Sequence, residues 1–368
     1  MTIYNLYNHQ VDIDFDHTEE FLEKSLENIN ERLGTSTTHG YFDTPQGKLH
    51  YCKFLPSDGD TKQPKGVIVF QHGIQGHCSV GINISDEKDA PGNYTNMILL
   101  SRKATAAGYA VYSFDTLGHG ISEGKRFYIP EAGNWKVNRD HLETFAKFAH
   151  QDCASASSST DSDVPLFLMG ESYGGTLVLH VARMWQDDPE NAPSNSSFKG
   201  IVLNAPAIVG DIPPKIITWF LKDVLAPRYP TTVPFFMPHP ITPDRIWENE
   251  KVRNHNTSES EQILGMQGSG KRFCLGTATG LVDALEEVRN QVIPGFNVPF
   301  CVSHGTDDLG VKVEGTEYLL EHSVTSDSDR KVRMIEGARH DLMSDTNTKD
   351  ETVDSLLSWV DSRLQESI

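Results

Sequence analysis

Leu166-Phe167-Leu168-Met169-Gly170-Glu171-Ser172-Tyr173-Gly174-Gly175 is the stretch that decides the fold. Its four consecutive apolar residues read as a strand buried on both faces, and the run stops at a glycine-bracketed serine that opens a helical pattern. G-x-S-x-G set between a strand and a helix is a nucleophile elbow. Small residues at 170 and 174 let the chain turn sharply, so the Ser172 hydroxyl stands clear above the strand ends. A plain strand–helix turn with an incidental serine would use the same glycines. The strand before and the helix after weigh for the nucleophile.

Working outward, the apolar runs recur. Gly66-Val67-Ile68-Val69-Phe70 and residues 109–114, 201–203, 299–303 and 331–335 read as further buried strands. Helices are expected over 95–107 and 135–150, from 174 onward, and over 352–364. Buried strands alternating with helices specify a mostly parallel sheet joined by right-handed crossovers. Two short strand signals, at 41–42 and 49–54, flank the turn Pro45-Gln46-Gly47, and an acidic helical pattern occupies 1–33. The rhythm breaks after Ala205 and resumes at Pro299. Between them lie proline clusters and helical patches with no buried-strand signal. The expected organisation is an N-terminal acidic arm (1–40), a core (41–205 and 298–368) and a helical cap (206–297) inserted between two strands of the sheet.

Composition narrows the function classes. The chain has 368 residues with Asp+Glu 51 against Lys+Arg 32, a net charge of −19, so no clustered cations are on hand to neutralise phosphates. Nucleic acid is excluded as a partner. The acidity is concentrated in the arm, which holds eight acids and two bases, and in residues 341–368, which hold seven and two. The cap holds ten acids and nine bases and carries the apolar stretches Ile216-Ile217-Thr218-Trp219-Phe220-Leu221 and Val233-Pro234-Phe235-Phe236-Met237. These either pack the cap onto the core or line an acyl tunnel whose outer face touches a membrane peripherally. Five widely spaced cysteines show no CxxC or Cys/His metal spacing, so no metal site is expected. No signal-like N-terminal pattern and no apolar run of roughly 18–20 residues occurs, and a cytosolic location is expected.

A serine hydroxyl is a weak nucleophile without a base, so a histidine held by a carboxylate must follow, in the chain order Ser, acid, His. Gly305-Thr306-Asp307-Asp308 follows one expected strand and Gly337-Ala338-Arg339-His340 follows the last. On spacing alone either aspartate serves. The oxyanion needs backbone N–H donors rather than particular side chains. One is assigned to Tyr173, just after the nucleophile. The other is assigned to Ile74, in the loop Gln71-His72-Gly73-Ile74-Gln75-Gly76-His77, where His72 and His77 are read as shaping the loop.

These pieces, with Asp115-Thr116-Leu117-Gly118-His119-Gly120-Ile121-Ser122-Glu123-Gly124 and Glu336-Gly337-Ala338-Arg339-His340, resemble the monoacylglycerol lipase / lysophospholipase branch of the α/β-hydrolases over roughly residues 40–365. The resemblance implies a cofactor-free serine hydrolase of the α/β-hydrolase fold. Its triad would be Ser172, His340 and Asp308, the last because the family places its acid at the end of G-x-x-D. It implies a single-chain acyl ester as the small-molecule substrate. Glu171 stands where animal members carry histidine and plant-like members often carry glutamate, and those relatives include esterases of phenolic esters. A small-ester or phenolic-ester esterase, a serine aminopeptidase and a non-catalytic binding protein on the same fold stay open. Acyl-chain series, aminoacyl-amide turnover and fluorophosphonate labelling of Ser172 separate them.

Overall fold

The structure is a computed structural model that describes residues 36–56, 64–78, 96–125, 127–129, 135–155, 164–193, 197–237, 241–257 and 272–365, with Glu27 and Asn30. The expected arm helix, save those two residues, and the loop insertion at 80–93 lie outside the described residues.

Eight strands form one sheet in the order β1-β2-β4-β3-β5-β6-β7-β8. They are β1 (Ser36–Thr44), β2 (Gly47–Leu55), β3 (Val67–Gln71), β4 (Ala110–Phe114), β5 (Leu166–Glu171), β6 (Phe198–Asn204), β7 (Phe300–Gly305) and β8 (Arg330–Ile335). β1, β2 and β4 pair antiparallel, and every pair from β4 to β8 is parallel. β1 begins at Ser36, ahead of the expected core edge at residue 41. Its Ser-Thr-Thr-His start carries no apolar alternation to mark a strand, and its pairing with β2 extends it.

The helices are α1 (Asn96–Ala106), α2 (Lys136–Ser155), α3 (Tyr173–Asp187), α4 (Lys215–Trp219), α5 (Pro243–Ile246), α6 (Glu250–Asn256), α7 (Leu275–Glu287), α8 (Glu314–His322) and α9 (Lys349–Gln365). α4 and α7 each run on as a wider helical turn, Phe220–Leu225 and Val288–Val292. Among the described residues no helix is long and apolar enough to cross a membrane.

Strand alternation divides the core in two. Val67, Val69, Leu166, Leu168 and Ile201 face α2 and α3, while Ile68, Phe70, Phe167, Met169 and Val202 face α1 and α9. With both faces covered, the central strands are buried along their length, which is why they read as continuous apolar runs. The segment between β6 and β7 carries α4 to α7 and no strand among the described residues. Its last part, Ala284, Val288, Val292, Ile293 and Phe296, joins the larger core cluster.

Parallel register brings the carboxyl ends of the strands to one edge. Gln71 lies beside Gly170, Glu171 beside Asn204, Asn204 beside Ser303 and Gly305 beside Ile335. The loops leaving β3, β5, β7 and β8 therefore converge, as ligand-binding loops do in parallel sheets.

Candidate active site

Ser172 sits between β5 and α3 with φ 53° and ψ −122°, a backbone conformation that a non-glycine residue rarely adopts. The surroundings hold it there. Its N–H donates to the Asn204 carbonyl at 3.0 Å, and its carbonyl accepts from Ala207 N–H at 2.9 Å and Gly175 N–H at 3.0 Å. The flanking glycines are dictated by space rather than by flexibility. A Cβ at Gly170 would lie 2.4 Å from the Gly174 carbonyl oxygen, and one at Gly174 would lie 2.2 Å from the Gln71 carbonyl oxygen. The elbow is thereby pressed against the end of β3.

That contact sets the loop after β3. Gly73 approaches until an added Cβ would stand 3.0 Å from Ser172 Cβ. His72 fixes the turn. Its Nε2 accepts from Thr116 N–H at 3.0 Å, so the proton is on Nδ1, which donates to the Gly73 carbonyl at 2.7 Å. Burial pushes the His72 pKa down, which keeps the ring neutral in this role. The N–H groups of Ile74 and Tyr173 donate to no other described residue, and Tyr173 is the first residue of α3, where helix geometry leaves N–H groups unpaired.

The loops after β7 and β8 pack on each other. Asp307 N–H donates to the Ala338 carbonyl at 3.1 Å, and Gly337 N–H to Thr306 Oγ1 at 2.8 Å. The two aspartates part here. Asp307 is exposed, while the Asp308 carboxylate is fully buried and accepts from four donors. Oδ1 takes the N–H groups of Gly310 and Val311 at 2.7 and 2.8 Å. Oδ2 takes His340 Nδ1–H at 2.7 Å and His304 Nε2–H at 3.0 Å. His304, on β7, is a site residue that sequence reasoning missed. Its signal is its place between the expected strand 299–303 and Gly305-Thr306-Asp307-Asp308, which by itself assigns it no role.

Burial pulls the His340 pKa down, but the Asp308 charge and hydrogen bond, with Glu171 and Asp341 nearby, raise it to about 9. Burial would raise the Asp308 pKa, and His340 and His304 together hold it far below the carboxylate range. Asp308 is thus a fixed anion that orients His340 and favours its charged form. Ser172 and His340 stand at the same sheet edge without a hydrogen bond between them among the described residues.

The sequence pattern of a family described as serine aminopeptidase, S33, matches residues 62–347. The chain is 25% identical over 344 residues to caffeoylshikimate esterase of Arabidopsis thaliana, covering 90% of this chain and 88% of that one. It is 26% identical over 322 residues to monoglyceride lipase of Mus musculus, covering 86% and 88%. Among solved structures it resembles a soluble variant of monoglyceride lipase from Saccharomyces cerevisiae in complex with a substrate analog. The TM-score is 0.65 at 18% identity, over 88% of this chain and 94% of that one. That likeness establishes the α/β-hydrolase fold.

Proposed function

The chain belongs to the serine aminopeptidase S33 family of α/β-hydrolases and is a carboxylic ester hydrolase, and from that premise we propose that it cleaves single-chain acyl esters, monoacylglycerols or lysophospholipids, with Ser172, His340 and Asp308 as its triad. The observation that carries this reading is the 2.7 Å bond from His340 to a fully buried Asp308, at the sheet edge where Ser172 is held strained on its elbow. The neutral form of His340 takes the Ser172 proton as Oγ attacks the ester carbonyl. The resulting oxyanion lies against the N–H groups of Ile74 and Tyr173. His340 returns the proton to the leaving alcohol, and water, activated the same way, releases the acid from the acyl-enzyme. Every step uses side chains and backbone of this chain.

The lipid class rests on the segment between β6 and β7. Ile216, Ile217, Trp219, Phe220, Tyr229, Phe235 and Phe236 are exposed, Phe235 at 90% and Ile216 at 75%. So many large apolar side chains in one inserted segment, whose ten acids and nine bases nearly cancel, suit contact with neutral lipid at a membrane surface. The named activity of the mouse relative agrees with this. A second reading, phenolic esters, is favoured by similarity to the Arabidopsis caffeoylshikimate esterase and by Glu171 beside the nucleophile. The five cysteines are all free thiols, which supports a reducing, cytosolic setting.

Purified wild type and Ser172→Ala are to be compared on acyl glycerols of graded chain length, lysophospholipids and aromatic esters. Turnover of the acyl lipids that vanishes in Ser172→Ala upholds the reading. Turnover confined to aromatic esters transfers the assignment to the second reading. Hydrolysis unchanged by Ser172→Ala overturns the triad.

A further inference from the structure

His50, Cys52 and Cys78 meet in the interior. His50 and Cys52 are two apart on β2 and so share one face of the sheet, and Cys78 lies four residues after Ile74 in the segment that leaves β3. All three are completely buried. One donor atom from each lies within 4.8 Å of the other two. Cys52 Sγ is 3.9 Å from His50 Nε2, and Cys78 Sγ is 3.7 Å from His50 Nδ1. Donors around a tetrahedral zinc, at about 2.3 Å for sulfur and about 2.0 Å for nitrogen, stand ~3.6–3.8 Å apart. Cys52 Sγ and His50 Nε2 already have nearly that spacing, and Cys78 Sγ lies within 4.8 Å of the same group.

We propose that His50, Cys52 and Cys78 form a binding site for a thiophilic divalent cation of the zinc class. Asp115 supplies the outer support such sites use. Its Oδ2 accepts from His50 Nδ1–H at 2.9 Å, which leaves Nε2 with its lone pair for the metal. Its Oδ1 accepts from Cys78 N–H at 2.6 Å, and its Oδ2 also accepts from Ile121 N–H at 3.0 Å. The carboxylate is thus committed to orienting ligands. Binding displaces two protons from the His50, Cys52 and Cys78 set to solvent and leaves a neutral imidazole and two thiolates, whose charges balance those of the cation, so the buried net charge stays the same. Two neutral ligand forms and one ion would otherwise be costly to bury; here the exchange is balanced. The cation would join β2 to the segment that leaves β3 and bears Ile74, as a staple on the oxyanion side of the active site. Sequence spacing hid the site because Cys78 is far from the His50–Cys52 pair along the chain.

The test uses the full-length, reduced protein prepared without chelators. Elemental analysis is expected to find about one zinc per chain after zinc exposure and dialysis, and cobalt(II) is expected to give a thiolate-to-metal charge-transfer band. Cys52→Ser and Cys78→Ser are expected to lose the band and Cys301→Ser to keep it. Chelator treatment is expected to lower Tm. If the serine variants do not fold, cobalt titration of the wild type decides alone, since the band requires thiolate ligation. Folded, reduced wild type that takes up neither ion overturns the proposal. So does a band that survives in Cys52→Ser and Cys78→Ser, or a Cys52–Cys78 disulfide in the native metal-free protein. Metal content and spectrum are read without substrate, so this outcome is independent of the triad reading.

Discussion

Trp247 donates its indole N–H to Asp341 Oδ2 at 2.6 Å, so the inserted segment is bonded to the residue beside His340. The link is one of a set. Asp341 N–H donates to the Ile246 carbonyl at 3.2 Å, Glu248 N–H to Asp345 Oδ2 at 2.7 Å, and Arg339 to the Asp244 carbonyl. Burial raises the Asp341 pKa, and the bonds from Ser344 and Trp247 oppose that rise. Trp247→Phe keeps the apolar bulk and removes one of the donors, leaving a buried carboxylate short of a partner at a cost of about 1–3 kcal/mol. A lower Tm and a roughly tenfold fall in kcat, with KM less affected, are expected from 1.4 kcal/mol lost in positioning His340. Unchanged kcat would show that the contact does not reach the histidine.

Asp308→Asn and Asp307→Asn should separate cleanly. The first replaces the acceptor of His340 Nδ1–H by an amide and is expected to lower kcat by ~10³–10⁴-fold, as loss of the orienting acid does in serine triads. Asp307 is exposed and its substitution is expected to leave kcat within about twofold. Steady-state kinetics on a soluble ester measure both. Equal losses would contradict the assignment.

His304→Gln probes the other donor to Asp308 Oδ2. His304 Nε2–H donates to the carboxylate at 3.0 Å, and its Nδ1 shares a 2.7 Å hydrogen bond with Thr316 Oγ1 in a fully buried relay. Removing one of two histidines that depress the Asp308 pKa leaves the carboxylate ionised and its charge less shared, so the His340 pKa is expected to rise and the pH profile to shift upward, along with a moderate loss of kcat of about tenfold. An unshifted profile would reduce His304 to packing.

The pH dependence follows from His340. Its pKa stands at about 9 against an ordinary 6.5, and catalysis needs the neutral ring. With a soluble ester, kcat/KM is expected to rise about tenfold per pH unit and level off near 9. Stability runs the other way. A group whose pKa is raised on folding contributes stability that is full below 6.5 and is lost as pH rises through about 9, so Tm should fall over the range where activity grows. Glu171→Gln removes one of the charges that raise this pKa and should move the inflection downward. A plateau reached already near neutrality would refute the coupling.

Gly174→Ala tests the elbow by steric means alone. Its Cβ would sit 2.2 Å from the Gln71 carbonyl oxygen and 2.6 Å from that of His72, both backbone atoms that cannot swing away. The expected cost is about 1–3 kcal/mol or more, with loss of activity from displacement of the Ile74 loop. Thermal melting and ester turnover measure the two effects.

The sequence by itself determined what is local and periodic. Two-sided burial of the central strands wrote continuous apolar runs such as Val67-Ile68-Val69-Phe70, and the elbow wrote Gly170 and Gly174, because each constraint acts within a few residues. It also placed Ser172, the pair Asp307-Asp308 and His340 after three strands in the order a triad on this fold requires. Tertiary structure decided what depends on which groups face one another. Asp307 and Asp308 are indistinguishable by type and spacing, and only the packing of two loops buries one carboxylate against His340 and His304 while leaving the other in water. The bonding of Trp247 to Asp341, the docking of the last part of α7 and its continuation in the main core, and the meeting of His50, Cys52 and Cys78 all join residues distant along the chain. No periodicity records such contacts, since they exist only after the sheet has set the register that brings them together.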